Sequence, residues 1–224
     1  GDHSCGGGTI AGIKAAYPDK RLGVIWIDAH ADLYSPYTSP SGNIHGMPLA
    51  TALNVDNLEH KIKDLSEELD SQWNRLKNMC GISPKLLPED LVFVGVRDTE
   101  DQEDYYINKH NVKNLAVEHV RRNGVREVSE EILKYLKDCD MIYISFDVDS
   151  MDCDLVSYGT GTPVAKGFDQ EEVTQIMNRI IESKKVVCVE FVEINPILDL
   201  NGKKKAETVF EIIDDITKNI KISL

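Results

Sequence analysis

The sequence lacks the features that would point to nucleic acid, a membrane or a disulfide-stabilised scaffold. Basic residues are fewer than acidic ones, 25 against 38, and the net charge of −13 argues against nucleic acid and against anionic membranes. No apolar run is long enough to span a bilayer. The five cysteines are scattered, without metal-finger or redox spacing, so we expect free thiols in a cytoplasmic protein.

Internal repeats and low-complexity segments are also missing. The glycine-rich stretch 6–8 is not followed by the Gly-Lys-Ser/Thr that a phosphate-binding loop requires. The composition of the 224 residues, 42% hydrophobic and 28% charged, is typical of a globular protein. Patterns of buried strands alternate with patterns of helices, which predicts a single α/β domain over residues 1–224 with a mostly parallel, doubly wound sheet.

The periodicity of apolar residues places the individual elements. Strands are predicted at 24–27, 91–96, 115–117, 141–146 and 186–192. Helices are predicted at 9–17, 57–78, 103–110, 128–136, 169–182 and 204–220, with Ser129 as a cap for the fourth. Residues 1–8 and 150–167 are predicted to be glycine-containing loops. Because a loop and a helix come first, with no strand before them, we expect the chain to be part of a longer protein.

The most informative stretch is 23–32, where a predicted buried strand runs directly into three potential metal ligands. Asp28, His30 and Asp32 are spaced at i, i+2 and i+4, so a continuing extended backbone would point their side chains the same way. The C-terminal ends of strands are where open α/β sheets bind ligands. The simpler alternative is a polar loop that happens to follow a strand.

A second predicted strand ends in the same way, in Asp147 and Asp149, and His3 lies near the start of the chain. These six groups carry four negative charges when both histidines are neutral, and packed carboxylates cannot all stay ionised without compensation. Two divalent cations would balance the charge. Oxygen and nitrogen ligands without thiolate favour Mn²⁺ or a similar ion over structural zinc. A two-metal hydrolytic site is therefore the leading hypothesis.

A polar loop that follows this first motif carries three more candidates. Ser41 and Asn43 offer a hydroxyl and an amide suited to holding a carboxylate by hydrogen bonds. His45 has the residue type needed to move protons near neutral pH. The alternative for His45 is a loop histidine that is merely exposed.

These residues, in this order, resemble the ureohydrolases, and the arginases in particular. Three stretches carry the resemblance, Gly-Asp-His3-Ser, Asp28-Ala-His30-Ala-Asp32 and Ser-Phe-Asp147-Val-Asp149, which look like that family's metal-binding motifs. The resemblance covers essentially the whole chain. It implies a three-layer α/β/α fold and a binuclear Mn²⁺ site bridged by hydroxide, with Co²⁺ or another divalent ion as alternatives.

The resemblance also implies a site for the amino-acid end of a substrate. Ser41 and Asn43 are similar to the arginase pair that binds the α-carboxylate of L-arginine, a group that agmatine lacks. Glu100 stands where an aspartate usually helps to hold the α-amino group, so that contact would be longer or rearranged. Tyr34 stands where many arginases have asparagine.

The catalytic roles come from the resemblance in the same way. Glu193 would receive the guanidinium, His45 would shuttle protons, and Asp149 would act in proton transfer beside the nucleophilic water. Thr162 would help to stabilise the tetrahedral intermediate. The family also has further residues before Gly-Asp-His3-Ser, including the first strands of its sheet, so we expect this chain to be N-terminally incomplete with one sheet edge bare.

The resemblance therefore implies an arginase that hydrolyses L-arginine to L-ornithine and urea. Two alternatives stay open. One is another ureohydrolase, agmatinase-like or acting on a different guanidino or formimino substrate. The other is a non-catalytic homologue that binds metal. The expected partner is a small-molecule substrate, with no nucleic acid and no membrane, and a homo-oligomer is compatible with the sequence.

Overall fold

The computed structural model describes residues 1–200 and 202–223, and its centre is a sheet of parallel strands. Within these residues five strands pair in the order β3-β2-β1-β4-β5. The strands are β1 (Leu22–Ile27), β2 (Leu91–Val94), β3 (Lys113–Leu115), β4 (Met141–Asp147) and β5 (Val186–Val192). The predicted parallel sheet is confirmed. No helix of the described residues is both long enough and apolar enough to cross a bilayer.

Helices pack on both faces of this sheet and complete a three-layer α/β/α arrangement, as predicted. Their bounds are α1 (Ser4–Ala16), α2 (Pro48–Leu53), α3 (Glu67–Lys77), α4 (Asp101–His110), α5 (Val117–Asn123), α6 (Val125–Tyr135), α7 (Gln170–Ile181) and α8 (Lys204–Ser223). Side chains of α1, α2 and α4 form one hydrophobic core with the sheet. Side chains of α5, α6, α7 and α8 form the core on the opposite face.

The central strand β1 shows why the sequence favours this arrangement. Val24 and Trp26 point into the core beneath α1, while Ile25 and Ile27 point into the opposite core. All four side chains are fully buried. Burial of each such side chain stabilises the fold by roughly 1.5–3 kcal/mol. A strand covered on both faces therefore needs a continuous apolar run, which is the pattern that predicted it.

The prediction of a long helix at 57–78 is wrong over the first half of that range. Only α3 is helical, preceded by a loop and one short 3₁₀ turn, and Leu58 and Ile62 are exposed. The helix begins where Ser66 accepts a hydrogen bond from the amide of Leu69, at 3.2 Å. A serine followed by two glutamates is a helix-start signal. The prediction placed the helix start too early because the leucines and isoleucine before Ser66 also have helical spacing.

The N-terminal helix begins earlier than predicted, at Ser4, inside the glycine-rich stretch. A Cβ atom on Gly6 would lie 2.8 Å from Cη2 of Trp26, so the helix can approach the sheet this closely only with glycine there. On the other side of the sheet, α6 begins at Val125. The hydroxyl of Ser129 donates to the carbonyl of Val125 inside that helix, so its predicted role as a cap is wrong.

The remaining differences are short elements. The strand predicted at 115–117 lies at Lys113–Leu115, and the residues that follow begin α5, which the periodicity did not predict. The helix α2 also escaped prediction because its six residues, Pro48–Leu53, are all buried and show no amphipathic period. Among the described residues β5 pairs only with β4 and lies at one edge of the sheet.

Candidate metal centre

The two predicted metal motifs follow neighbouring strands and meet at the C-terminal ends of those strands. Ile27 of β1 lies beside Phe146 of β4 in the parallel register, so the acidic residues that follow are adjacent. The expectation of an extended backbone beyond β1 is wrong. The strand ends at Ile27, and Asp32 has a left-handed φ of 50°. Bends in the chain therefore direct these side chains to one place.

The first of two clusters surrounds the imidazole of His3. Its Nδ1 lies 3.0 Å from Oδ2 of Asp28, 3.0 Å from Oδ2 of Asp32 and 3.1 Å from Oδ2 of Asp147. All four side chains are buried. Within the described part of the chain, His3 Nδ1 and Asp28 Oδ2 have no hydrogen-bond partner of acceptable geometry. Buried polar atoms without partners are costly, and a cation among them would satisfy them.

The second cluster is built around His30. Its Nδ1 lies 3.1 Å from Oδ2 of Asp149 and 3.5 Å from Oδ1 of Asp28. Asp28 therefore offers one carboxylate oxygen to each cluster, so the two clusters are adjacent. Oxygen and imidazole nitrogen donors without thiolate are the ligands of Mn²⁺ and related ions. The residues fit a pair of divalent cations that share Asp28.

The electrostatics of the clusters show how strongly these groups affect each other. Burial, and then the charge of Asp28, raises the pKa of Asp32 to about 6. Burial and the neighbouring carboxylates raise the pKa of Asp147 well above its usual range. Burial opposes protonation of His30, but hydrogen bonds to carboxylates raise its pKa to about 12. Without a cation, protons therefore occupy the positions that a metal would take.

This competition predicts that Mn²⁺ binding weakens in acid. Asp32 must be ionised to bind a cation and its pKa is raised to about 6, so its contribution to the affinity is lost as the pH falls through that value. The proton on His30, whose pKa is raised to about 12, must be displaced over the whole range and adds to the loss in acid. We expect the affinity to fall by about tenfold or more between pH 7 and pH 5. Calorimetric titration in buffers of different ionisation enthalpy would measure both affinity and proton release. A constant affinity over this range would contradict the expectation.

The residues around His3 fix its orientation, and sequence reasoning assigned them no role. The ring stacks on Trp26, with centroids 3.9 Å apart and an interplanar angle of 4°. Its Nε2 lies 2.7 Å from the hydroxyl of Ser145. An Nε2–H that donates to this hydroxyl leaves the lone pair of Nδ1 facing the carboxylates. Ser145 is the one serine in the otherwise apolar run 141–146, and this polar position was the available signal in the sequence.

A cavity of about 180 Å³ opens beside the clusters. Besides five of the proposed metal ligands, its lining includes four residues that sequence reasoning placed at the site, namely His45, Glu100, Thr162 and Glu193. It also includes three to which sequence reasoning gave no role at the site, namely Asp98, Thr99 and Glu103. The structure therefore brings together residues from the ends of several strands and from the long loop at 150–167.

Glu193 follows β5 in a conformation that is rare for a side chain of its size. Its φ is 62°, in the left-handed region. Its amide donates to the carbonyl of Gly1 at 3.0 Å, and its Oε1 accepts from the amide of His3 at 2.7 Å. Nδ1 of His45 lies 3.7 Å from the same oxygen. Strained backbone of this kind is concentrated at functional sites, and no sequence pattern predicted it.

Two further side chains hold the long loop against the second cluster. The hydroxyl of Thr162 donates to Oδ2 of Asp149 at 2.9 Å. The guanidinium of Arg97 donates to the carbonyls of Asp149, Val164 and Ala165, each at 3.0 Å. Arg97 follows β2, so it joins two strand ends through the loop between them. Its place in sequence, one residue before an acidic run, gave no indication of this.

Asp98, Glu100 and Glu103 form an acidic wall of the cavity. Glu103, on α4, is buried and accepts hydrogen bonds from the amides of Leu33 and Glu100, each at 3.1 Å. Burial raises the pKa of Glu103 to about 7. Glu100 adjoins Glu103 through its amide, and Oδ2 of Asp98 lies 3.6 Å from Nε2 of His30. This side of the cavity is suited to a positively charged group.

The predicted carboxylate-binding pair lies outside the lining of this cavity. Ser41 and Asn43 are exposed, and the amide of Asn43 donates to the Ser41 hydroxyl at 3.1 Å. They line an adjoining cavity of about 220 Å³. Tyr34, His45 and Gly46 line both cavities. A molecule that contacted Asn43 and the metal clusters together would therefore have to pass Tyr34 and His45.

Comparison with known proteins gives consistent matches. The Arginase family matches residues 1–218. Arginase of Bacillus subtilis (strain 168) is 38% identical over 216 residues, which are 96% of this chain and 66% of that protein. Arginase of Entamoeba histolytica is 39% identical over 207 residues, 91% of this chain and 63% of that protein. The chain thus spans slightly less than two thirds of these relatives.

Solved structures give the same result for the fold. Helicobacter pylori arginase superposes with a TM-score of 0.85 at 29% identity, covering 98% of this chain and 72% of that one. Entamoeba histolytica arginase, solved in complex with L-ornithine, superposes with a TM-score of 0.82 at 35% identity. The match covers 96% of this chain and 67% of that one.

Proposed function

The chain belongs to the arginase family, and we propose that it hydrolyses L-arginine to L-ornithine and urea. The observation that carries the proposal is the pair of buried carboxylate and histidine clusters that share Asp28, beside a cavity that also contains Glu193. Relatives named as arginases, one of them solved with L-ornithine, support the choice of substrate.

The proposed metal is Mn²⁺, two ions per chain, with Co²⁺ as an alternative. His3, Asp28, Asp32 and Asp147 would hold one ion. His30 and Asp149 would hold the other, together with the second oxygen of Asp28. The chemistry that such a pair supplies is a lowered pKa of water, which provides hydroxide near neutral pH. This matters because a guanidinium is stabilised by resonance and reacts only with a strong nucleophile.

The side chains of the cavity supply the rest of the reaction. Glu193 would hold the guanidinium by charge-assisted hydrogen bonds, through the carboxylate oxygen that the amide of His3 does not occupy. Asp149, fixed by the hydroxyl of Thr162, would take the proton of the nucleophile. As a new carbon–oxygen bond forms and a carbon–nitrogen bond breaks, His45 would deliver a proton to the departing amine of ornithine.

The amino-acid end of the substrate would extend from Glu193 past Tyr34. Its α-ammonium would face Glu100 on the acidic wall, and its α-carboxylate would reach Ser41 and Asn43 in the adjoining cavity. An agmatinase-like activity is the second candidate, because the carboxylate pair lies in a separate cavity and the ammonium contact is a glutamate. A non-catalytic metal-binding role would leave the same clusters without turnover.

Urea release from arginine and from agmatine, compared in Asn43→Ala, separates these functions. A hydrogen bond to a charged group contributes about 1.5–3 kcal/mol. The ratio of kcat/KM for arginine over agmatine should therefore fall at least tenfold, about 1.4 kcal/mol. Asn108→Ala, on the exposed face of α4, is the control that should leave the ratio unchanged. An unchanged ratio in Asn43→Ala would favour the second candidate, and no urea from wild type would favour the third.

A further inference from the structure

A buried lysine lies behind the metal ligands of β4. Lys205 is the second residue of α8, and its side chain is fully buried. Its Nζ donates to the carbonyl of Val148 at 3.0 Å. Val148 stands between Asp147 and Asp149, so the peptide that joins two proposed ligands of different clusters is held by an ammonium group.

The same lysine lies where three segments of the chain meet. Its amide donates to Oδ2 of Asp199 at 2.8 Å, and the other oxygen of Asp199 accepts from the hydroxyl of Ser157. Ser157 belongs to the loop that carries Thr162, and Asp199 belongs to the segment that follows Glu193. Lys205 therefore ties the end of β4, the long loop and the segment after β5 together.

The packing around this contact is close. A Cβ atom on Gly159 would lie 2.9 Å from Cβ of Lys205. The carbonyl of Gly159 accepts from the amide of Asn195 at 2.9 Å. The glycine thus lets the long loop and the segment after β5 approach the lysine stem. The position of the Lys205 side chain is therefore fixed by packing from several segments.

Burial of an ammonium is costly unless hydrogen bonds and nearby opposite charges offset the cost. An apolar side chain of similar length would fill the same space without that cost. Asp147, Asp149 and Asp199 supply the opposite charge around Lys205. The arrangement is therefore explained by what the ammonium holds in place rather than by stability alone.

We infer that Lys205 is a positioning residue of the metal centre. Its ammonium fixes the Val148 carbonyl, and the fixed peptide sets the directions of the carboxylates on either side of it. The inference rests on the metal centre proposed above. The alternative is that the Lys205 ammonium positions no ligand and only repels the bound cations. Removal of its charge would then tighten metal binding.

The first test measures Mn²⁺ affinity by calorimetry in the complete protein, with Lys205→Met against wild type. Changes to groups that support metal ligands typically cost about 10–100-fold in affinity, and we expect a loss in that range. Lys204→Met, at the exposed neighbouring position, should bind as wild type does. Equal or tighter binding by folded Lys205→Met would overturn the inference. Failure of wild type to bind Mn²⁺ would overturn the metal centre itself.

A second test needs no variant and remains decisive if Lys205→Met does not fold. Modification of wild-type lysines by acetic anhydride, followed by mass spectrometry, reports how often each buried amine becomes exposed. Lys85 is the internal control, because it is buried and donates to the carbonyl of Lys77, away from the clusters. If exposure of Lys205 disrupts the metal centre, Mn²⁺ must slow the acetylation of Lys205. At a free Mn²⁺ concentration of 100 times Kd, the rate should fall by up to about a hundredfold. A rate ratio of Lys205 to Lys85 that Mn²⁺ leaves unchanged would overturn the inference.

Discussion

Asp28→Asn is expected to remove most of the bound manganese and to lower the rate of urea release by more than a hundredfold. Asp28 offers one oxygen to each cluster, so the substitution weakens both. Changes to groups that only support ligands cost about 10–100-fold, and loss of a shared ligand should cost more. The isosteric amide keeps the acceptor for the amide of His30, at 2.8 Å, so the local backbone should be retained.

The metal-free variant provides the check on folding. Without metal, the charge of Asp28 attracts the protonated His3 and His30 and repels the neighbouring carboxylates, so its removal changes stability in both directions. Circular dichroism of metal-free Asp28→Asn beside metal-free wild type should show that both proteins are folded at the assay temperature. Asp138→Asn, exposed before β4 at the opposite end of the sheet, should retain both metal and rate. Full metal content in Asp28→Asn would contradict the proposed sharing of this carboxylate.

His45→Asn is expected to lower kcat by about 10²–10⁴-fold, the usual contribution of a general acid or base. His45 lines the cavity but belongs to neither cluster, and its Nδ1 lies 3.7 Å from the carboxylate of Glu193. Metal content should therefore stay at the wild-type level. Elemental analysis and steady-state kinetics on the same preparation measure both quantities. Small imidazoles in the buffer should restore part of the rate by carrying the proton.

The competing role for His45 is that of a metal ligand or a packing residue. In that case the variant would lose metal or stability together with rate. His110→Asn, at the exposed end of α4, controls for the loss of an imidazole elsewhere on the chain. Loss of metal from His45→Asn with an unchanged fold would overturn the assignment of a proton-transfer role.

The fold could be predicted from sequence because its central strands are buried on both faces. The run at β1 is continuously apolar, and the run at β4 is apolar up to Asp147 except at Ser145, which is the pattern expected of strands covered on both faces. The acidic residues that follow each run then indicate that the functional site lies at the C-terminal ends of the strands. Prediction failed where the signal was local and weak, as at α2, whose six buried residues have no period.

The site was predictable only in its residue types. Nothing in the sequence shows that Asp32 and Glu193 adopt left-handed backbone, because φ there is imposed by packing and by bonds such as that between the amide of Glu193 and Gly1. Lys205 ends a run of three lysines that resembles a solvated charged surface, yet its side chain is fully buried. Burial of a charge depends on which segments meet around it, and that is decided by tertiary structure.

The number of Mn²⁺ ions retained per chain shows directly whether the protein has a binuclear centre. The protein would be loaded with Mn²⁺, dialysed against metal-free buffer and analysed for manganese and protein concentration. The two clusters that share Asp28 predict a value near two. The melting temperature should rise with loading, because ions that bind only the folded state stabilise it. A value that stays near one or zero would contradict a binuclear centre and the mechanism built on it.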